Sequence, residues 1–497
     1  MRFRLVLLPV ALGAAALAGC AVGPDYQRPD VSAQLPSSSA SASSSASASS
    51  SPAADGQAPP WREASPADGA PRGPWWTLFG DAELNRIEEA VVAGNQDIVA
   101  AAARVGQARA TARIRGADFL PELKLDAVAE RERLGANAPQ YQQFSGFKVA
   151  PTTVNSISVP IDLSYEVDLW GRVRRSFESA RDQAQASQAD AQNVLLAATA
   201  EAALDYFALR RDDAGVKILR ETLALRQHAV GIVEKRLQAG RVTALDLAQA
   251  KTEQANAEAD LAEVLQSRAQ NQNALACLCG KPASDFVVAE DPTLPAPPDV
   301  PVGLPSALLE RRPDVARAER LVAARNAEIG VAKAAFFPAL SLTGQGGYLS
   351  YTTNNLFTSP SQVWAIGPTL SLPLFAGGRN AAQLREAKAA WEEATANYRG
   401  SVLVAVRDVE NALAARRYLG DRIDAVARAA VQSEEALRLT EARYKSGEIS
   451  YFDVIVAERT ALGARRAVAE VSALRLQAAV SLIKALGGGW GEEAVSQ

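Results

Sequence analysis

Hydrophobic positions along the chain follow two periods, and the change of period separates predicted strands from predicted helices. In LKLDAVA (residues 123–129), and again over residues 156–164, apolar side chains alternate with Ser, Asp or Lys. This alternation is typical of a strand with one apolar and one polar face. The sequence predicts two strands joined by a polar loop at about 131–155, which holds Phe144 and Phe147.

From Arg172 the apolar period becomes 3.5 residues. Small and apolar residues recur at spacings of four and three, at Val173, Phe177, Ala180, Ala184, Ser187, Ala191, Val194 and Ala198. Such spacing is typical of a coiled-coil seam, here with side chains small enough for helices to approach closely. No proline interrupts the run, so it predicts a helix of about 65–70 residues. At ~100 Å, that helix predicts a tube or rod rather than a globular domain.

A glycine turn ends this helix, and the whole arrangement is then repeated. RLQAGRVTALDL (236–247) offers Gly240 as a helix C-cap and Thr243 as an N-cap before a second helix. FLPELKL (119–125) returns as FFPALSL at an offset of 217, and the glycine turn returns as RYKSGEISYFDV (443–454) at an offset of 207. The second long helix carries the same seam at Leu384, Ala387, Trp391, Ala394, Tyr398, Val402, Ala405, Val409 and Ala412. Two such halves predict one pseudo-symmetric body.

The first residues predict export and a lipid anchor. A charged start, a short apolar core and LAGC (17–20) form a signal peptide that is too short to span a membrane. Small residues before Cys20 resemble a bacterial lipobox, so cleavage would leave Cys20 to be acylated. An ordinary signal peptide with an incidental cysteine is the alternative. Ala21 stands where an inner-membrane retention signal has Asp, which favours the outer membrane.

Composition sets the remaining boundaries. A Ser/Ala tract at about 37–54 cannot bury enough apolar surface to fold, and the proline density near 290 indicates an extended strap. The predicted order is a signal peptide (1–19), a lipid-anchored flexible tether (20–74), a first repeat (75–280), a Pro-rich connector (281–305), a second repeat (306–490) and a C-terminal tail (491–497). A net charge of -4 with mixed signs and no basic stripe excludes nucleic acid as the expected partner.

Residues able to carry catalysis are few. Cys277 and Cys279 are two apart on a predicted helix, so they cannot easily bridge each other, and zinc would need further ligands nearby. We interpret both as small core residues at a helix end. His228 is the one histidine, and a solvated surface position is expected for it. No Walker A motif, metal cluster or acid–base constellation is present, so no enzyme, cofactor or metal site is predicted.

The strands constrain the assembly. Four strands of about 8–12 residues cannot close a membrane barrel, which needs at least eight. An open sheet edge in lipid leaves backbone groups unpaired at several kcal/mol each, so strands in a membrane would require further copies of the chain. Aromatic residues around the second hairpin suit either an interfacial girdle or ordinary loops: Tyr348, Tyr351, Phe357 and Trp364.

Five motifs together resemble one family. They are AVGPDYQRP (21–29), WWTLFGDAEL (75–84), ERRPDVARAER (310–320), AAFFPALSLTG (334–344) and ALGGGW (485–490). They resemble the outer-membrane factor (TolC-like) family, in its lipoprotein branch of multidrug efflux channels (NodT/OprM-like), over residues 20–490. The resemblance implies an α+β membrane protein: a homotrimer whose twelve-stranded transmembrane β-barrel, four strands per chain, continues into a long periplasmic α-helical barrel. It also implies a passive duct that receives small molecules from an inner-membrane transporter through a periplasmic adaptor.

The resemblance assigns the gate to the two glycine turns, which in the family close the periplasmic mouth and dock the adaptor. The candidates are Arg236, Gly240, Thr243, Asp246, Arg443, Tyr444, Gly447, Phe452, Asp453 and Arg459. Phe452 matches an apolar ring and Arg459 a basic position, but Val456 stands where the family has an acidic ring. Asp453 could replace that ring from an adjacent face. Alternatively, Asp246 and Asp453 only cap their helices, where a carboxylate is favoured.

Two further functions are compatible with these patterns. One is the same duct in a protein secretion system. The other, of a different class, is a non-pore envelope lipoprotein with the coiled coil as a spacer. The lipobox and the RRPD and LGGGW motifs favour efflux of small molecules, whereas a spacer would need no pairs of alternating strands.

Overall fold

The computed structural model describes residues 21–31, 73–135, 152–300 and 311–488. These residues form seven α-helices and five strands, besides short 3-10 turns such as Trp75–Phe79. The helices are α1 Ala82–Gly94, α2 Gln96–Ala117, α3 Arg172–Gln238, α4 Ala244–Leu278, α5 Pro313–Ala334, α6 Arg379–Ser446 and α7 Tyr451–Ala485. The strands are β1 Glu122–Leu125, β2 Val128–Leu134, β3 Thr152–Val167, β4 Ala339–Ser350 and β5 Gln362–Ser371.

The chain divides into two units. The first comprises residues 1–29, 105–186 and 318–397, and its described part holds the sheet. The second comprises residues 30–104, 187–317 and 398–497, and it holds both glycine turns. No helix in the described residues has an apolar stretch long enough to cross a membrane.

The sheet is antiparallel in the order β1–β3–β4–β5, with β2 pairing β3 beyond β1. The predicted apolar face lies open in the single chain, because Leu125, Ile161, Ile366 and Leu370 are each more than half exposed. Tyr351, Phe357 and Trp364 are exposed around the second hairpin as well. Phe144 and Phe147 lie outside the described residues.

The first predicted strand is interrupted, and the predicted loop at 131–155 is too long. The interruption lies opposite Pro160: Asp126 donates its backbone N–H to the Pro160 carbonyl at 3.2 Å, but proline has no N–H to donate in return. Beyond this gap β2 continues to Leu134, and β3 begins at Thr152. Strong pairing between β2 and β3 therefore extends into the region predicted as loop.

The long helices and their seams agree with the prediction. Helices α3 and α6 have 67 and 68 residues, and α4 and α7 have 35 each. In α6 the seam residues from Tyr398 to Ala412 are buried, and those before Tyr398 are half-buried. In α3 the seam is buried at Val173, Ala180 and Ala198 and half-buried between them.

The helical segment before β1 is broken at Asn95, whose extended backbone lets its side-chain oxygen accept from the N–H groups of Asp97 and Ile98 and so cap α2. One local prediction was wrong. Of the two cysteines expected in the core, Cys279 is buried but Cys277 is exposed. Residues two apart on a helix point about 200° apart, so one buried position leaves the other outside. His228 is exposed, as predicted.

Candidate functional site

The two glycine turns have the same backbone geometry. In the first tip (residues 236–246), Gly240 adopts a φ of 67°, and Arg241 donates its N–H to the Arg236 carbonyl at 2.9 Å. In the second tip (residues 443–453), Gly447 has a φ of 81°, and Glu448 donates to the Arg443 carbonyl at 3.0 Å. Left-handed glycine with this bonding is the Schellman ending of a helix. The sequence repeat is thus also a repeat of hydrogen bonds.

The acids that correspond in the two repeats, Asp246 and Asp453, are both engaged in helix caps. Asp246 accepts from the N–H and the hydroxyl of Thr243, each at 2.7 Å. Asp453 accepts from the N–H and the hydroxyl of Ser450 at 3.0 and 2.8 Å. Each carboxylate lies in the first turn of its helix, where the backbone N–H groups favour negative charge.

The two tips touch through an aromatic and a cation. The guanidinium of Arg236 lies 5.1 Å from the ring centre of Tyr444, and Tyr444 packs against Tyr451 at 5.6 Å. Beneath them lies a small apolar cluster of Val230, Val233, Ala250, Tyr451, Val454 and Ile455. Burial in this cluster raises the pKa of Tyr451 to about 12. The sequence-predicted tip residues Arg236 and Tyr444 are therefore brought together.

A buried acid connects three helices next to the tips. The side chain of Glu253 in α4 is only 4% exposed and pairs with Arg226 of α3 at 3.2 Å. Arg459 of α7 donates its Nε to the same carboxylate at 3.1 Å and makes a second, shorter contact through Nη2. This hydrogen bonding raises the pKa of Arg459. Glu253 therefore pairs with two arginines, one from each helical hairpin.

One heptad further along both helices, the pairing recurs. Arg466 of α7 lies 3.2 Å from Asp260 of α4, and both side chains are about 40% exposed. A cleft of about 390 Å³ lies between the two pairs and includes Asn256 and Gly463 in its lining. Because the second pair is exposed, solvent screens it far more than the pair at Glu253.

Sequence reasoning found Arg459 but missed its partners Arg226 and Glu253. The available signal was a shared spacing of seven residues. Acids at 253 and 260 on one helix have the same spacing as arginines at 459 and 466 on another helix of equal length. The offset between acid and arginine is 206 in both pairs. Nothing local in either segment indicates which helix faces which.

Phe452, Val456 and Arg459 form one exposed stripe on α7. Their spacings of four and three residues place them on the same helix face, and Phe452 and Val456 are each about half exposed. Arg459 is 57% exposed beside them. The position expected to carry an acid is thus an open apolar surface at Val456.

The predicted lipidation site, Cys20, lies just outside the described residues, but the segment after it is held firmly on the first unit. Val22 donates its N–H to the Trp170 carbonyl at 2.9 Å, and Asp25 pairs with Arg175 at 2.7 Å. Tyr26 donates its hydroxyl to Glu319 at 2.6 Å. The start of the predicted flexible tether is therefore ordered, while the Ser/Ala tract lies outside the described residues.

Among the described residues no group of three or more His, Cys, Asp or Glu side chains could hold a metal ion. Within the second tip Arg443 pairs with Glu448 at 3.2 Å, and next to the tips Glu253 pairs with Arg226 and Arg459. Such an arrangement can open or close by exchanging ion pairs.

Comparison with known proteins identifies the family to which this chain is similar. The family described as "Outer membrane efflux protein" matches residues 89–281 and 304–488, which is more than half of the chain. The outer membrane protein OprJ of Pseudomonas aeruginosa is 37% identical over 84% of this chain and 86% of its own length. The probable efflux pump outer membrane protein TtgC of Pseudomonas putida is 32% identical over 98% of this chain and 96% of its own.

The fold is shared with solved channels as well. The open state of the Neisseria gonorrhoeae MtrE outer membrane channel superposes with a TM-score of 0.76 at 29% identity, covering 95% of this chain and 98% of that one. The match extends through both repeats, so the internal duplication is a property of the family fold. The chain belongs to the outer membrane efflux protein family, as its motifs predicted, and is an outer-membrane efflux channel.

Proposed function

We propose that three copies of the chain form a passive duct that carries small toxic molecules from an inner-membrane transporter, through a periplasmic adaptor, to the outside. The observation that carries this proposal is the open sheet of a single chain. Its apolar face is exposed, and among the described strands β5 and the β1–β2 edge each pair on one side only. In lipid each unpaired backbone group costs several kcal/mol, so the edges of separate copies must meet.

The cargo is inferred from relatives. Related outer-membrane proteins of Pseudomonas putida are named for antibiotic and toluene efflux pumps. Both classes are small molecules, which supports efflux over protein secretion. No chemical step is needed in a duct.

The tips act as the gate and as the docking surface for the adaptor. In this proposal Glu253 holds the hairpin of α6 and α7 against that of α3 and α4 through Arg226 and Arg459. Asp246 and Asp453 keep each tip rigid by capping the returning helix. Phe452 and Val456 line the constriction as an apolar ring, in place of an acidic one. An adaptor opens the gate by drawing Arg459 away from Glu253, a step made easier because Arg459 is largely solvated.

Acylated Cys20 anchors each copy to the outer membrane. The ordered segment from Ala21 to Tyr26 supports this, since the residues that follow the proposed acylation site are held near Trp170, where β3 gives way to α3. Lipid adds roughly 0.8 kcal/mol per buried methylene, so several acyl chains make a stable anchor.

Gene deletion followed by complementation tests the proposed function. Loss of the gene should increase susceptibility to small antibiotics and solvents, and the wild-type gene should restore resistance. A strain with unchanged susceptibility that fails to export a protein would contradict small-molecule efflux and favour the secretion duct.

A further inference from the structure

The sheet repeats itself at the level of individual residue pairs. Adding 217 to the positions of β1, and to those of β2 up to Arg133, gives positions in β4, and adding 207 to positions 155–164 of β3 gives positions in β5. The pair Leu123 and Leu163 thus becomes Leu340 and Leu370, which are partners in the structure. Of the ten pairs between β4 and β5, eight have a counterpart among the pairs that β1 and β2 make with β3.

The two remaining pairs fall at the interruption of the first strand. Thr343 and Gly367 correspond to Asp126 and Pro160, which still share the backbone hydrogen bond described above. The pairing of the second repeat is therefore the pairing of the first repeat, without any slip in register.

One strand contact has no counterpart within the chain. The pair β3 and β4 joins the end of the first repeat to the start of the second. Its counterpart would join β5, the end of the second repeat, to β1 and β2, the start of the next first repeat. Those two edges are the ones that stay unpaired among the described residues.

We infer that β5 pairs with β1 and β2 of a second copy in the register of the internal β3–β4 contact. Leu163 is opposite Gly344 inside the chain, so Leu370 is opposite Ala127 of the partner subunit. Tyr165 and Leu342 likewise give Leu372 opposite Leu125 of the partner subunit. This inference rests on the trimer proposed above and specifies which residues meet between its copies.

The inferred register matches apolar with apolar side chains. The exposed residues Leu370, Leu372 and Leu374 are opposite Ala127, Leu125 and Leu123 of the partner subunit, on one face of the sheet. Polar residues Thr369 and Ser371 are opposite Val128 and Asp126 of the partner subunit, on the other face. A slip of one residue would exchange the two faces and place apolar side chains against polar ones.

The internal contact also supplies a distance. A Cβ atom built on Gly344 lies 3.6 Å from the Cβ atom of Leu163. Disulfide bonds span Cβ separations of about 3.5–4.5 Å, whereas diagonal neighbours two residues along a strand lie about 7–8 Å apart. Cysteines at 370 and 127 should therefore form a disulfide between copies, and cysteines shifted by two residues should not.

Disulfide formation in membranes tests the register. In a full-length background with Cys277→Ser and Cys279→Ala, we would oxidise the double variant Leu370→Cys/Ala127→Cys with copper phenanthroline. Covalent dimers and trimers that disappear on reduction are expected on non-reducing gels. The shifted variants Leu370→Cys/Ala129→Cys and Leu370→Cys/Leu125→Cys should form at least fivefold less covalent oligomer than the predicted pair. The internal counterpart Leu163→Cys/Gly344→Cys should lose both free thiols without forming a covalent oligomer.

The controls separate this inference from the channel function. Each variant under reducing conditions must complement drug resistance, which shows that it folds and conducts. The inferred register is wrong if the variants complement resistance but a shifted pair cross-links better than the predicted pair. It is also wrong if no pair between copies cross-links although the internal counterpart does. In both cases the proposed efflux function is unaffected. If the predicted pair cross-links but no variant or wild-type protein supports resistance, the register stands and the proposed function fails.

Discussion

Arg459 and Glu253 lie 206 positions apart in the chain, yet the Arg459 guanidinium donates hydrogen bonds to the Glu253 carboxylate next to both glycine turns. Glu253 is almost fully buried and also pairs with Arg226, whereas Arg459 is largely exposed. The pair thus has one side fixed in the protein and one side accessible to a partner. This asymmetry suits a gate that is stable alone and is opened by a docked adaptor.

Glu253→Gln should loosen the proposed gate. Removing one partner from a buried ion pair leaves the other charge uncompensated, at a cost of ~3 kcal/mol. Single-channel recordings of the variant should show more frequent opening than the wild type. Cells carrying it should become more sensitive to large hydrophilic antibiotics that the closed channel excludes.

Asp260→Asn is the matched control, because its partner Arg466 lies on the same pair of helices one heptad away and is exposed. Losing this exposed ion pair should lower the free energy of unfolding by ~1 kcal/mol or less. Equal effects of both variants, or an unchanged opening frequency in Glu253→Gln, would exclude Glu253 as the latch.

Tyr444 should matter for its ring rather than for its hydroxyl. The ring makes a cation–π contact with Arg236, while the hydroxyl oxygen is buried with no hydrogen-bond partner among the described residues. Tyr444→Phe should therefore leave the melting temperature unchanged or raise it. Tyr444→Leu should lower it, since the cation–π contact is worth ~1 kcal/mol. Thermal unfolding in detergent measures both, and a larger loss in the Phe variant would refute this assignment.

The long helices could be predicted because their signal is local: a heptad of small residues and a long run without proline. The glycine turns could be predicted for the same reason, since Gly240 and Gly447 mark them directly. The strand interruption could not, because its cause, Pro160, lies on the opposite strand. The contact between Glu253 and Arg459 depends on which helices become neighbours, and no segment of the sequence encodes that alone.

Glu88 should make stability fall as pH rises. Burial raises the pKa of this carboxyl to about 9, and its oxygens have no hydrogen-bond partner among the described residues. Between its ordinary pKa of 4.5 and about 9, the folded state holds a proton that the unfolded state releases. Stability from this group is therefore complete below pH 4.5 and decreases up to about pH 9.

Glu88→Gln removes this titration. The melting temperature of the variant, relative to that of the wild type, should rise as the pH is raised from 5 to 8. This change with pH is expected whichever protein melts higher at pH 5. Parallel melting curves for the two proteins across that range would show that Glu88 is not a buried neutral acid.

Cys20→Ala should abolish lipid attachment without unfolding the chain, because the following segment is held by its own contacts to Trp170 and Arg175. Wild-type protein should incorporate labelled palmitate and the variant should not. The folded parts of the two proteins should resist protease digestion equally. Label in the variant would locate the acylation elsewhere, and a protease-sensitive variant would show that the lipid itself is required for folding.

Conductance of the purified protein in planar lipid bilayers tests the central claim most directly. If several copies enclose a shared pore, the wild type should insert as an oligomer and show discrete channel currents. Glu253→Gln should show the same unit current with a higher open fraction. A monomeric protein that leaves the bilayer electrically silent in both forms would contradict the account.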